Sequence, residues 1–412
     1  MSSFSIPLTG LESSSTALNT IANNLSNMNT TAFKSQEVSF SDLFYQQIGT
    51  AGSGNPLEVG AGTQISATST NFTEGSVNST GNEDDMAIGG QTGAGFYIVQ
   101  NGNTIEYTRD GSFTVNPQGY LTTQSGLQVM GYPVVGGVVD TNAPLVPIQI
   151  PPNGISQQPA ATANFSMTAN LDASAAVGTS VPAQITLYDS LGESHAATVT
   201  LTNTGANTWD YSISLPAGEA TGGANLTGTL TFNSNGNLIS PAANVPGISF
   251  TGLADGASNM TLNWNLYGSS GQPTLTQFAG SSDVSATSQD GYASGTSTGF
   301  TVGSDGLISA QFSNGKTQPV GQIALANVVN PEGLSILGGN LYQTTLASGN
   351  ASIGVAGTGG LGTIQDEALE ASNVNISTQF SDLIIAQQAY EASSKAITTF
   401  DAVSQDTINM IH

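Results

Sequence analysis

The sequence predicts a multi-domain chain in which terminal α-helices form a coiled-coil-like layer, two nested and mostly antiparallel all-β domains fill the span between them, and no α/β domain is present. Three observations predict it. Apolar residues recur every seven positions near both ends, and the interior alternates in short runs punctuated by Asn-Gly and Asp-Gly pairs. A Pro-rich passage and, much later, a Ser/Thr/Gly-rich one bracket a second block of such runs.

The first element is expected to start at a capping box of Thr9 and Glu12, with Leu11, Leu18 and Leu25 spaced by seven and Ile21 and Met28 interleaved. Its continuation ANNLSNMNTTAFKSQ (22–36) holds four asparagines, residues that bond their own backbone and favour caps over helix interiors. A weak helix former on a helical stripe is marginal alone and needs neighbours. The last element repeats the device: Ile376, Leu383, Tyr390, Ile397, Ser404 and Ile411 are spaced by seven, and Glu391 and Lys395 form an expected i,i+4 pair. As one helix from 376 to 411 it would be about 54 Å long at about 1.5 Å per residue.

Between the ends, FYIVQNG, EYTRDGSFTVN and GYLTTQSGLQVMGY read as hairpins. APLVPIQIPPNG (143–154) leads into a second β-rich block with AQITLYDSLGESHAATVTLTN, NTWDYSISLP and LTGTLTFNSNGNL. The Gly280–Gly299 stretch reads as the way out, after which GFTVGSDGLISAQFSNGK restores the hairpin rhythm. The expected plan is therefore 1–35 plus 364–412 as a helical assembly domain, 36–78 as an extended linker, 79–150 plus 286–363 as a first β domain, and 151–285 as an inserted outer β domain.

Four Lys and Arg against 28 Asp and Glu give a net charge of -24, which leaves no basic surface for nucleic acid or anionic membranes. No apolar run reaches membrane-spanning length, and the N-terminus lacks the charged and apolar regions of a cleaved signal peptide. With only 8% charged residues, the surface must be carried by Ser, Thr, Asn, Gln and Gly, as suits an extracellular protein. The absence of cysteine removes disulfides, thiolate metal sites and thiol nucleophiles.

Four strings could carry chemistry. GTGGLG (357–362) fits a dinucleotide-binding pattern, but no βαβ unit surrounds it, and Asp366, Glu367 and Glu370, expected near the start of the next helix, would repel a pyrophosphate; a flexible joint is the plainer reading. GTSTG (295–299) fits a nucleophile elbow at Ser297, yet His195 and His412 are the only histidines to serve it. The EDD run (83–85) could ligate calcium but reads better as solvated acids. His195 has no second histidine or cysteine nearby, so zinc is not expected there. No catalytic residue, cofactor or metal is expected.

ANNLSNMNTTAFKSQ resembles the N-terminal signature of the bacterial flagellar axial family of rod and hook proteins, and LEASNVNISTQFSDLIIAQQAYEASSKAITTFDAVSQDTI (369–408) resembles its C-terminal segment. DDMAIGG, YTRDGSFTVNPQGYLTTQSGLQVMGY and the inserted block are similar to the hook members of that family. Two departures stand out: Ala32 where the family often has Gly, and GQTGAGFYIVQ in place of a Gly-Asp-Gly-Phe-Phe series. A left-handed backbone at Ala32 would cost about 1–2 kcal/mol.

The resemblance implies a non-enzymatic subunit that self-assembles into the curved tube transmitting motor torque from rod to filament, with the terminal helices as the inner layer and the β domains outside. It also implies the distal rod, the hook cap, the hook-filament junction proteins and the flagellar type III export apparatus as partners. The expected location is the extracellular flagellum, reached without a cleaved signal. The assembly interface is expected at Leu11, Leu18, Ile21, Leu25, Met28, Ile376, Leu383, Tyr390, Ile397 and Ile411, ordering only on polymerisation. The alternatives are a distal rod subunit, a secreted carbohydrate-binding adhesin, and a hydrolase using Ser297.

Overall fold

The computed structural model describes residues 5–44, 46–50, 56–90 and 94–411. Two terminal helices, α1 (Ser5–Ser26) and α2 (Ile376–Ile411), flank in sequence a series of mostly antiparallel strands, Asn164–Asn170 pairing in parallel with Met260–Asn265 and Leu275–Thr276, with no α/β domain among the described residues. The chain divides into two compact units: Met1–Pro152 with Gly299–Gln311 and Thr317–His412, and Asn153–Thr298 with Phe312–Lys316. The helices thus share a unit with the first β region rather than standing as a separate domain.

The first unit is built on a sheet that is buried on both faces. Strand Phe96–Asn101 pairs with Thr104–Thr108 on one side and Gln128–Tyr132 on the other. Its continuous apolar run, Phe-Tyr-Ile-Val, is what a strand covered on two faces requires. Tyr97 and Val99 enter one core with Phe113, Leu121, Ile323 and Leu325, whereas Phe96 and Ile98 enter a second with Tyr132, Ala324 and Tyr342. In that second core, Phe72, Phe96 and Tyr342 meet edge to face at 5.4–5.6 Å between ring centres.

The second unit is a sandwich. A five-stranded antiparallel meander, from Ser180–Tyr188 to Leu238–Ser240, faces a six-stranded sheet centred on Asn164–Asn170, Val245–Leu253 and Met260–Asn265. The alternation is strict: in Ser194–Gly205, His195, Ala197, Val199, Leu201 and Asn203 point inward and their neighbours outward. Trp264 forms the centre of that core, stacked on Phe165 at 5.7 Å and edge-on to Tyr211 at 5.2 Å.

Several expectations are corrected. Residues 36–78 are no bare linker, because Gln36–Asp42 pairs with Thr63–Thr70 and Gln46–Thr50 with Pro56–Val59. Residues 364–375 are not helical: Thr363–Asp366 pairs with Met86–Gly89 and Ala368–Glu370 with Val77–Ser79. The Gly280–Gly299 stretch holds strand Asp283–Gln289, whose polar alternation suits an edge lying against Asn164–Asn170. Thr9 caps nothing; it lies inside α1, where its hydroxyl donates to the Ile6 carbonyl at 2.8 Å and accepts the Thr63 N–H at 3.3 Å. Ala32 does take the left-handed conformation, at φ 55°, and is fully buried. Residues 91–93 of the second family departure lie outside the described residues.

One polar cluster fixes the base of the helices. Glu370 receives Lys34 Nζ on Oε1 and Arg109 on Oε2 at 2.9 Å, with all three side chains at most 3% exposed. Oε1 also accepts the Gly75 N–H at 2.8 Å. Lys34 donates further to the Thr73 carbonyl, and Arg109 to the carbonyls of Gly95 and Ile88. Burial pulls the Lys34 ammonium below its ordinary pKa although Glu370 opposes that shift. Ala32 N–H to the Glu370 carbonyl, and Ser35 N–H to Asn373 Oδ1, both at 2.8 Å, continue the tie.

Removing one partner from a buried ion cluster leaves an uncompensated charge and costs about 3–5 kcal/mol. Glu370→Gln, which strands two cations, is expected to lower the stability of the first unit by that amount in urea unfolding and to leave the transition of the second unit unmoved. Lys34→Met should cost less, because Glu370 keeps Arg109; equal losses from the two variants would show that the cluster does not act as described.

Candidate assembly interface

Helices α1 and α2 pack side by side in antiparallel register. A Cβ at Gly10 would lie 3.1 Å from Ser393 Oγ, and Asn24 Nδ2 donates to Gln379 Oε1 at 2.9 Å. Both pairs add to the same position sum, so each step along α1 is matched by one back along α2. The seam is made of small and polar groups. Ser13, Asn24 and Ala386 are its buried members.

Asn24 is the specific element. Its amide donates to the Gln36 carbonyl at 2.8 Å while its carbonyl accepts the Gln36 N–H at 2.9 Å, so one side chain joins α1, the first strand and α2. That is the role of an asparagine on a helical stripe here: it closes a backbone pair that a leucine could not.

The expected interface residues are placed unevenly. Leu11, Leu18, Ile21 and Leu25 on α1, and Leu383 and Ile397 on α2, are half-buried. Ile376 and Tyr390 are exposed. Met28 is exposed too, in the turn after α1 rather than on it. The side chain of Ile411 lies outside the described residues. The heptad reading drifts because a straight helix has 3.6 residues per turn, so a seven-residue repeat rotates by about 20° each time and by about 100° over the five repeats from 376 to 411. Ala386, three residues after Leu383, lies on the expected stripe, whereas Ser13 and Asn24 stand outside the expected interface; the small-residue spacing Gly10, Ser13, Ala17 against Ala386, Ala389, Ser393 was the available signal.

Large apolar side chains face outward instead. Phe380 is exposed, Ile384 is 53% and Ile385 64% exposed, and Met410 is 80% exposed with Val403 and Ile408 beside it on the distal part of α2. By the register, Ser5 stands level with position 398, so α2 runs on past it for thirteen residues, about 20 Å. Every described side chain from 398 to 410 is exposed. Between the helices and the strands Gln36–Asp42 and Thr63–Thr70 lies a groove of about 800 Å³ lined in part by Ala17, Ile21, Val38, Phe40 and Ile385. No ion pair joins Glu391 and Lys395 among the described residues.

The candidate chemistry strings have structural places. GTSTG lies in strand Gly295–Val302, with the Ser297 carbonyl accepting the Gly154 N–H, so no strand–turn–helix elbow exists there. GTGGLG closes on itself through Gly357 N–H to the Gly362 carbonyl and enters a strand, not a helix. The EDD run is not simply solvated: Asp85 is buried and accepts the Thr80 hydroxyl at 2.7 Å, and Glu83 accepts the Phe300 N–H at 3.3 Å. Burial and the neighbouring acids Glu83 and Asp85 raise the pKa of Asp84. Among the described residues no helix is long and apolar enough to cross a membrane.

Comparison with known families places matches along most of the chain. Residues 8–34 match the flagella basal body rod protein family, and 91–206 match the flagellar hook protein FlgE/F/G D1 domain. Residues 160–292 match the flagellar basal body protein FlaE D2 domain, and 365–410 match the flagellar basal body rod FlgEFG protein C-terminal family. The chain is 33% identical to the flagellar hook protein FlgE of Escherichia coli, covering 99% of each chain. It is 34% identical to that of Salmonella typhimurium, covering 99% of this chain and 100% of that one. The match to Borreliella burgdorferi is 31%, with 98% of both covered. The crystal structure of the Helicobacter pylori flagellar hook protein FlgE2 aligns with a TM-score of 0.55 at 15% identity, over 71% of this chain and 100% of that one, a likeness of fold. With that identity sustained from end to end, the chain belongs to the flagellar hook protein FlgE family.

Proposed function

We propose that this chain is the structural subunit of the flagellar hook, which assembles with copies of itself into a flexible curved tube coupling rod to filament and carrying motor torque. The observation that carries the reading is the set of large apolar side chains that α2 leaves exposed. Ile384, Ile385, Val403, Ile408 and Met410 are exposed on a helix whose own partner is engaged through small and polar groups. Exposed apolar side chains at several points around one helix suit contacts with more than one neighbour, and burying a large apolar side chain contributes about 1.5–3 kcal/mol. The family membership supports a neighbouring copy as its partner. The expected stripe residues Leu11, Leu18, Ile21, Leu25, Leu383 and Ile397 then complete their burial between copies.

The reading carries no catalysis, and Ser297 serves as a strand residue. The chain acts outside the cell, exported by the flagellar type III apparatus without a cleaved signal, and meets the distal rod, the hook cap and the hook-filament junction proteins at the ends of the tube. The 160–292 match supports the hook over the distal rod.

Purified protein added to hook seeds is expected to grow curved tubes visible by electron microscopy; glycan binding without growth would favour an adhesin instead. The pair Ile384→Ser and Ile385→Ser should abolish growth while changing monomer stability by no more than about 0.5 kcal/mol, as exposed positions do. Growth at the parental rate would remove these two side chains from the interface. Asn24→Ala leaves the Gln36 N–H and carbonyl unpaired and should lower the stability of the first unit by about 1–3 kcal/mol, read as faster amide exchange in α1 of the monomer. Unaltered exchange would mean that α1 is held, or loose, for another reason.

A further inference from the structure

His195 sits at the end of an inward-facing row in the second unit, with Asp189 six residues before it in sequence and Glu219 and Asp255 brought in from further along the chain. Its Nδ1 lies 2.8 Å from Glu219 Oε2, and its Nε2 lies 3.4 Å from Asp189 Oδ2 and 3.9 Å from Asp255 Oδ2. His195 and Asp189 are buried; Asp255 and Glu219 are 26% and 35% exposed at their side chains.

Each aspartate divides its oxygens. Asp189 Oδ1 accepts the N–H groups of Leu191 and Glu193 at 2.8 and 2.9 Å, and Asp255 Oδ1 accepts that of Ala257 at 3.0 Å. The backbone therefore locks both carboxylates and leaves both Oδ2 atoms turned to the imidazole. The loops that carry them are joined by Ser258 N–H to Ser190 Oγ at 3.0 Å and by Ala254 N–H to the Glu219 carbonyl at 3.0 Å.

A neutral imidazole that donates Nδ1–H to Glu219 presents a bare lone pair at Nε2. Three electron-rich atoms, Nε2 and two carboxylate oxygens, then converge within 4.8 Å of one another. A cation among them, or a proton shared by the two carboxylates, would relieve their mutual repulsion. A proton on Nε2 would draw a carboxylate to about 2.7–2.9 Å, the length of a charge-assisted hydrogen bond. The observed 3.4 Å instead fits the edge of a tetrahedron, since ligand atoms about 2.0–2.2 Å from a zinc ion stand roughly 3.3–3.6 Å apart. Asp255, the more exposed of the two, has only a few tenths of an ångström to close.

We infer that His195 Nε2, Asp189 Oδ2 and Asp255 Oδ2 form a site for a divalent transition ion of the zinc class, with Glu219 orienting the imidazole from behind and the fourth position open to solvent. Mixed imidazole and carboxylate donors select this class over calcium, which takes six to eight oxygens. The hydrogen bond on the far ring nitrogen is the usual companion of a metal-bound histidine. The ion would clamp the turn after strand Ser180–Tyr188 to the loop before Met260–Asn265, in a chain that has no disulfide to do so.

The test is calorimetric titration of the full-length monomer with zinc chloride near neutral pH, in a His412→Ala background that removes the other histidine. The expected result is one zinc per chain, a shift of the His195 ring signals on binding, loss of binding in Asp255→Asn, and affinity about tenfold to a hundredfold weaker in Glu219→Gln. Equal unfolding curves of Asp255→Asn and its parent without zinc would show that the variant folds. Absence of binding, binding unaltered in Asp255→Asn, or His195 ring signals that titrate with pH and ignore zinc would each overturn the proposal, the last in favour of a proton alone.

Discussion

Two of the four basic side chains of this protein are spent on one carboxylate. Glu370 holds Lys34 and Arg109 out of water together, and each charge is completed by backbone groups: Gly75 N–H on the anion, the carbonyls of Thr73, Gly95 and Ile88 on the cations. Desolvation of three ions is tolerable only with such saturation. What the cluster joins explains why it is kept. Lys34 follows α1, Glu370 precedes α2, and Arg109 belongs to the β region between them, so three segments far apart in sequence meet at one point. Both helices are anchored at that end, and the apolar distal part of α2 lies at the other.

That polarity is reinforced along the seam. If α1 and α2 buried leucines against each other, the pair would be satisfied alone and would have little reason to recruit a neighbour. They meet instead through Gly10, Ser13, Ala17, Asn24 and their small counterparts, and the Asn24–Gln379 hydrogen bond marks their register. Hydrophobic attraction is non-directional and hydrogen bonds are not. The fold assigns the directional interactions to the contact within a chain and leaves the non-directional ones at its surface.

How much of this was legible follows from the range of each interaction. The extent of α2 and the β character of the interior are local patterns of period 3.6 and 2, and residues 376–411 and Phe96–Asn101 display them plainly. The strands in 36–70 were hidden because their side chains are largely exposed, so Gln36–Asp42 shows no apolar alternation. The non-helical nature of 364–370 depends on pairing with segments nearly three hundred residues earlier. The Glu370 cluster is likewise long-range, and the group around His195 is so only for Glu219 and Asp255, since Asp189 lies six residues away. Lys34, Arg109 and Glu370 each stood inside strings that resembled the family, yet nothing in those strings says that they touch. Scarcity was the one available clue: in a chain with four cations, each has an unusual chance of a structural duty.

Scarcity also bears on how copies meet. With Lys34 and Arg109 buried, Lys316 and Lys395 are the side-chain cations left, and Lys316 is half-buried, with its ammonium 5.6 Å from the centre of the Tyr292 ring. Against 28 acids, so few cations give little means of forming ion pairs across a contact. Copies carrying a net charge of -24 repel one another at long range, but salt confines that repulsion to about 8–10 Å at physiological strength. Beyond that distance copies approach freely, and at contact apolar burial has to outweigh the repulsion that remains. Such contacts have no fixed partner atoms, so a small displacement exchanges one set of neighbours for another at little cost, whereas an ion pair stretched by an ångström or two loses its geometry. A surface poor in cations and rich in Ser, Thr, Asn and Gly, together with exposed apolar side chains on α2, therefore suits the proposed contact between copies better than a lattice of ion pairs would.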